Sequence, residues 1–535
     1  MRRALRCDAR VLIALAGTLL VAACSGGATG DGGAQADSDG PSGGTFSINL
    51  TEPSFLAPAS QCYESECYKV LNLVNDPLVN VDTETGELVF NGLAESIEPD
   101  EDQGVWTVVL REGRTFQNGE PINAEALITT WSYTADPANE ANTAGFMSHI
   151  EGAGEGESIS GLRMVDDLTV EVTLTGPFSQ FGAQMSYGPA FTPMAPECMA
   201  DAEACNEAPI GSGPYMIDGQ WNHDQAITVT KWSDYQGDLT GQADTVEFTM
   251  FADMVAAFRA FQGGTLDVLD AVEPTIYGEA VQAAGDRITT TETGNLTYMG
   301  FPTQTAPFDS VEYRQAVSQA FDRQAIIDSL LNGQAKASTD IVTPPIPGSR
   351  DDACNYCEID VETAAQSFAA AGGAEGDTIE LWFNAGSGHE SWVEAIGNEL
   401  KNNLGINFTM KGVEWAQYLE TLDTGNFTGP FRAGWGMDYP SPENYLRPIV
   451  GTGGDTNYSQ YSNKEVDDLL VQGDQAATTE EAYAFYQQAG DIALEEMPIL
   501  PLWSGINNTI WSENVDNVVY DGLRAEVNLL DVTVN

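Results

Sequence analysis

The chain has 535 residues, 42% of them hydrophobic, and carries 80 acidic against 21 basic side chains for a formal charge of −59. That length and apolar content suffice for more than one core. So large a negative charge excludes nucleic acid as a partner, because phosphates would meet a like-charged surface.

The N-terminus reads MRRALRCDAR, then VLIALAGTLLVAA, then Cys24. A basic lead, an apolar run too short for a bilayer and small residues before a cysteine predict a secretion signal over 1–23. Val21, Ala22, Ala23 and Cys24 match a bacterial lipobox, so cleavage is expected to leave Cys24 as a lipidated N-terminus held at the extracytoplasmic face of the cell membrane. The Gly/Ser/Asp-rich run over 24–44 can bury no apolar area and reads as a flexible linker with a mean reach of about 25 Å. Loss of the signal removes Arg2, Arg3, Arg6, Arg10 and Asp8, which leaves 17 basic and 79 acidic residues and a charge of −62. Such a body is disfavoured from lying flat on anionic lipid.

From Thr45 onward strands and helices alternate. VWTVVL (105–110), LTVEVTL (168–174) and TVEFTMF (245–251) are β-rich runs bounded by Gly, Asp and Pro. Asp309 and Glu312 have capping-box spacing and predict one amphipathic helix running to a stop at Asn332-Gly333, with Val317, Ala320, Phe321 and Ile327 on its inner face. TPPIPGS (343–349) breaks regular structure. A helix is predicted over 392–403, ending near Gly405 and leading into the strand INFTMKGV. The fold class is therefore α/β with mixed sheets. A second α/β unit begins near Leu296, and the C-terminal tail is expected to return to the first unit, so that the chain crosses between lobes more than once and forms a hinge.

Six cysteines remain once Cys7 and Cys24 are set aside, as three close pairs: Cys62 with Cys67, Cys198 with Cys205, Cys354 with Cys357. An even count in an exported chain predicts three local disulfides. A redox or zinc site is the other reading of Cys354-Asn-Tyr-Cys357, but there is no second such spacing, and His149, His223 and His389 are far apart in sequence. No metal or other cofactor is expected.

The segment RAGWGMDYPSPENYL (432–446) sets a cation, Arg432, and an anion, Asp438, around Trp435 in a Gly/Pro-broken loop. In a closed cleft these would pair with the carboxylate and the ammonium of a zwitterion, with the tryptophan excluding water. The other reading is a surface ion pair beside a core tryptophan. Among catalytic motifs, HExxH and GxxxxGK[ST] are absent, and the one match to GxSxG, GPSGG at 40–44, lies in the Gly/Ser-rich linker rather than at a strand-to-helix turn, so no catalytic residue is assigned and no enzyme is expected.

Several ordered segments carry a resemblance: WTVVLREGRTFQNGEPINAEAL from Trp106, GSGPYMI from Gly211, FRAFQGGTLDVL from Phe258, YRQAVSQAFDRQAII from Tyr313, EWAQYL from Glu414, GWGMDYPSPENYL from Gly434 and MPILPLW from Met497. Together, downstream of a lipobox, they resemble the extracytoplasmic solute-binding proteins of ABC importers, family 5, the oligopeptide, dipeptide and nickel-type group. The resemblance implies a large two-lobed, cluster C type periplasmic-binding-protein-like fold. Lobe I would span 45–295 with an inserted subdomain at about 85–205, lobe II 296–503, and 504–535 would return to lobe I. It also implies that Asp438 binds a peptide's α-ammonium and that Arg432 engages a carboxylate. His389, after FNAGSGH, and Trp415, Trp435 and Tyr439 would complete the ligand-binding set. The expected function is capture of short peptides by a monomer that delivers them to a membrane permease and its ATPase. An oligosaccharide, stacked on tryptophans 415, 435 and 503, or a metal chelate such as a nickel complex, is the alternative ligand.

Overall fold

Two long strands, Ile288–Gly300 and Ile499–Trp511, organise the molecule. They run antiparallel, pairing from Ile288 with Ile510 to Gly300 with Ile499, and their register slips between Glu292 and Leu296. On one side of that slip, Ile510 and Trp511 pair with Val268–Leu269, which leads through Thr45–Leu50 and Thr245–Met250 to Ala226–Lys231 and Tyr215–Ile217. On the other, Leu296 to Gly300 pair with Phe431–Trp435, followed by Thr378–Asn384 and Asn407–Val413. The result is one mixed 11-stranded sheet spanning both lobes, parallel where Thr45–Leu50 meets Thr245–Met250 and where Thr378–Asn384 meets Asn407–Val413. The computed structural model describes residues 43–82 and 85–535, which lie within one unit, Pro41–Asn535. The signal, Cys24 and the linker up to residue 42 lie outside the described residues.

Each core follows from sequence pattern. In Val105–Leu110 alternate residues Trp106, Val108 and Leu110 are buried, as expected of a half-buried strand. This strand joins Ala94–Pro99, Thr169–Thr173 and Leu162–Asp166 in a separate four-stranded antiparallel sheet with its own core, which includes Trp131, Phe181 and Phe191. A second core gathers Phe46, Ile48, Val229, Val246 and Phe248 with Val515, Val527 and Val532 of the tail. The largest is built from residues of 296–523, among them Phe321, Leu400, Phe431 and Tyr486. No helix among the described residues is long and apolar enough to cross a membrane.

One predicted helix is two. Ser310, not Asp309, caps the first, accepting from the Tyr313 N–H at 3.3 Å, and Val311–Gln319 ends at Ala320. Asp322 then caps Arg323–Leu330 by accepting from the Ala325 N–H at 3.0 Å. An aspartate offering a local acceptor competes with helix continuation, and apolar periodicity alone does not register that break. The later helix, Glu390–Leu404, stops at Gly405 with φ 73°, a left-handed cap that a Cβ disfavours. Cys62–Cys67, Cys198–Cys205 and Cys354–Cys357 are bonded, with Cα–Cα distances of 5.9, 5.0 and 5.5 Å.

Candidate functional site: a cleft between the lobes

A cavity of about 890 Å³ opens beside the crossing strands, walled by Asn49, Lys69 and Asp270 on one side, by Met437 and Asp438 on the other, and by Asn295 of a crossing strand. Asp438 reaches it because of how its loop ends. Ser441 caps the helix Pro442–Val450 by accepting from the Glu443 N–H at 3.2 Å, and Pro442 fits the first helical position, where no donor is needed. Asn444, on the first turn, accepts from the Asp438 N–H at 2.9 Å and donates from Nδ2 to Asp438 Oδ2 at 3.2 Å. The DYPSPEN segment is thus a loop folded back on its own helix, with the carboxylate facing the cleft.

No cation lies within ion-pair distance of that carboxylate among the described residues, so Arg432 and Asp438 do not pair with each other. Burial pushes the Asp438 pKa up; the Asn444 bond opposes this and the charge of Glu443 adds to it. Tyr187, in the cavity wall, carries the mark of the same charge, its hydroxyl held well above its ordinary value by burial and then by Asp438. A partly dehydrated carboxylate with one side-chain donor is a site that a cation would stabilise.

Arg432 stands apart from the cavity wall. It lies on Phe431–Trp435 opposite Met299; Nη1 donates to Asn384 Oδ1 at 3.3 Å, and Nε is buried without a partner. Burial draws its pKa down. His389 is brought beside it: burial and then the Arg432 charge lower the imidazole to about 4, so it is neutral at pH 7 and accepts from Trp392 Nε1 at 3.3 Å. Trp435 is half-buried against the large core, and its indole N–H also lacks a partner. Arg432 and His389 therefore form one group, and Asp438 another.

Two more of the expected residues lie off the cavity wall. Tyr439 is 5% exposed, packs in the core beneath the four-stranded sheet, donates its hydroxyl to the Glu443 carboxylate, and is not among the residues lining the cavity. Trp415 begins the helix Trp415–Thr424, whose inward positions are filled by Tyr418 and Leu422; it remains 47% exposed and forms no part of the cavity wall. Conversely, Lys69, Asp270, Tyr68, Tyr187 and Arg524 line the cavity unannounced by any local motif. Lys69 and Asp270 meet at 2.5 Å across 201 residues of chain, a pairing that sequence spacing does not reveal.

The pattern of the bacterial extracellular solute-binding proteins, family 5, middle region, matches residues 89–457. The chain belongs to that family. It is accordingly the extracytoplasmic solute-binding component of an ABC importer, not an enzyme. The chain is 26% identical over 536 residues to the oligopeptide-binding protein OppA of Bacillus subtilis (strain 168), covering 96% of each. It is 26% identical to the dipeptide-binding protein DppE of the same organism, covering 80% of this family member and 81% of DppE. Among solved structures, the unliganded open form of the murein tripeptide binding protein MppA superposes with a TM-score of 0.80 at 21% identity, covering 92% of this chain and 97% of that one. OppA of Haemophilus influenzae in complex with the peptide RPPGFSPFR gives 0.71 at 21% identity, with 92% and 99% covered. These likenesses agree with the two-lobed α/β fold and its mixed sheets.

Proposed function

We propose that the chain captures short peptides in the inter-lobe cleft and hands them, as a monomer, to a membrane permease driven by its ATPase. The observation that carries this reading is Asp438: a carboxylate on the cleft wall, lifted by burial, with no cation of its own. A peptide α-ammonium supplies the missing partner. The peptide main chain then lies extended along the wall, and bridging waters accommodate varied side chains. Arg432, with neutral His389 beside it and an Nε lacking an acceptor, receives the carboxylate of ligands long enough to reach it. Relatives known as oligopeptide- and dipeptide-binding proteins support the ligand class. An oligosaccharide is less well served, since tryptophans 415, 435 and 503 are all absent from the cavity wall.

The hinge is the pair of crossing strands near residues 293–296 and 504–505, where the ladder is interrupted and the Tyr445 hydroxyl bonds the Gly294 carbonyl. Lobe I then comprises 45–295 with a subdomain at about 85–205, lobe II comprises 296–503, and 504–535 returns to lobe I. Lipid on Cys24 and the linker behind it hold this body at the membrane. Native mass spectrometry of protein extracted from membranes tests both parts. A mass beginning at diacylated Cys24 with a peptide adduct is the expected result; an unlipidated chain overturns the anchor, and an adduct of non-peptide composition overturns the ligand class.

A further inference from the structure

The cavity wall carries two cations, Lys69 and Arg524. They differ in what they already hold. The Lys69 ammonium lies 2.5 Å from Asp270, whose other oxygen accepts from Asn49 Nδ2 at 2.8 Å, so that charge is answered. Arg524 is answered weakly. One terminal nitrogen donates to the neutral amide of Asn80, and Nε stands 3.9 Å from Asp521, the outer limit of an ion pair. A guanidinium has five donors, and among the described residues most of these have no protein acceptor; the side chain is 42% exposed, so water meets them until a ligand does. Glu526, a buried carboxylate whose ionised form Arg524 favours, accepts from Asn72 Nδ2 at 2.7 Å and makes no ion pair with Arg524 among the described residues; burial raises its pKa.

The position of Arg524 is fixed by the fold. It sits at the tip of a hairpin joining Tyr520–Asp521 to Glu526–Val527. The tip is pinned to a crossing strand: the Gly522 carbonyl accepts from the Gly294 N–H at 3.1 Å, and a Cβ on Gly522 would lie 2.1 Å from the Glu292 carbonyl oxygen. From this tip the cavity wall runs over two stacked tyrosines, Tyr68 and Tyr187, with ring centroids 5.9 Å apart. Burial and then the Glu526 charge raise the Tyr68 hydroxyl while Arg524 opposes them, and Tyr187 is raised by burial and then by Asp438. In a chain with 21 cations among 535 residues, a guanidinium on the cavity wall with donors open to solvent is placed to meet an anionic group of the ligand.

We propose that Arg524 is a specificity-determining residue that receives a second charged group of the ligand, a carboxylate carried across the Tyr187–Tyr68 wall from the ammonium on Asp438. This rests on the peptide reading and narrows it to peptides bearing an anion close to their amino terminus. That carboxylate has two sources, an acidic side chain at the second position or the terminal carboxylate of a dipeptide.

Calorimetry on the mature chain with two matched pairs, Ala-Glu-Ala against Ala-Gln-Ala and Ala-Ala against Ala-Ala amide, tests it and identifies the source. The native protein is expected to favour the anionic member of at least one pair by about 10- to 100-fold, the range of one charge-assisted bond. Arg524→Gln should bring that pair within threefold while leaving the neutral member's affinity in place, and Arg524→Lys should keep part of the preference. A native protein that binds all four ligands without discrimination overturns this proposal and leaves the peptide reading standing, as does a preference that survives Arg524→Gln. Binding of none of the four overturns both. Where Arg524→Gln melts early, a native protein without preference still overturns the proposal, and Arg524→Lys supplies the variant comparison.

Discussion

Replacing Asp438 with asparagine separates charge from shape. Asp438→Asn keeps an acceptor for Asn444 Nδ2 and removes only the negative charge. An ammonium at about 3 Å in surroundings of effective dielectric about 20 interacts with a carboxylate by about 5–6 kcal/mol. Loss of one partner of such a pair costs about 3–5 kcal/mol once the stranded charge is counted, or two to four decades of affinity. The empty protein should respond in the opposite sense. Burial raises the folded-state pKa of Asp438. The stability linked to its neutral form is therefore complete below the ordinary carboxylate range and is lost as pH rises through the raised value. At pH 7.5 the variant should melt no earlier than the native chain while binding peptide at least a hundredfold more weakly, as read by thermal melting and calorimetry on the same samples. Binding should also fall with acidification, beginning above the pH at which an ordinary aspartate protonates. An affinity within threefold of native in Asp438→Asn would refute the ammonium assignment.

Arg432→Gln should weaken a tetrapeptide by about tenfold and leave its C-terminal amide unaffected; equal losses for both forms in calorimetry would detach Arg432 from the ligand's carboxylate. Glu526, 7% exposed, has its pKa lifted from 4.5 to about 7, so the stability tied to its protonated form is present below pH 4.5 and lost as pH rises through 7. Glu526→Gln should therefore raise the melting temperature at pH 8, by an effect of about 3 kcal/mol at most, with the gain fading towards pH 4.5; a gain independent of pH would contradict this. Ser441→Ala removes both a helix cap and the bond to Gln180 Oε1 at 2.9 Å, which joins segments 261 residues apart. A cost of about 1–2 kcal/mol is expected in denaturant titration, and no change would show that neither bond contributes.

Local signals carried much of this molecule. Alternation in Val105–Leu110 and a glycine stop after Leu404 are written in consecutive residues, and short-range cysteine pairs need no knowledge of the fold. Asp438 was legible for the same reason, because its orientation depends on Ser441, Pro442 and Asn444, all within six residues. The positions of Tyr439 and Trp415 were not legible, because the side a residue faces is set by packing with distant elements: the Tyr439 ring enters a core supplied by residues 57–205. The cavity's first-lobe wall was hidden for the converse reason. Lys69, Asp270 and Arg524 become neighbours only through the sheet and the returning tail, across separations of hundreds of residues. The break at Ala320 was visible in Asp322 but masked by an apolar periodicity that continues through it.

The ammonium pole on Asp438 is tested most directly by comparing one peptide, trialanine, with its N-acetylated form in calorimetry against the native chain. Acetylation removes the positive charge and changes little else. Binding of the free amine with loss of at least two decades on acetylation is the predicted result. Equal affinity for the two would contradict the account, because the ligand would then be held without using the carboxylate in the cleft.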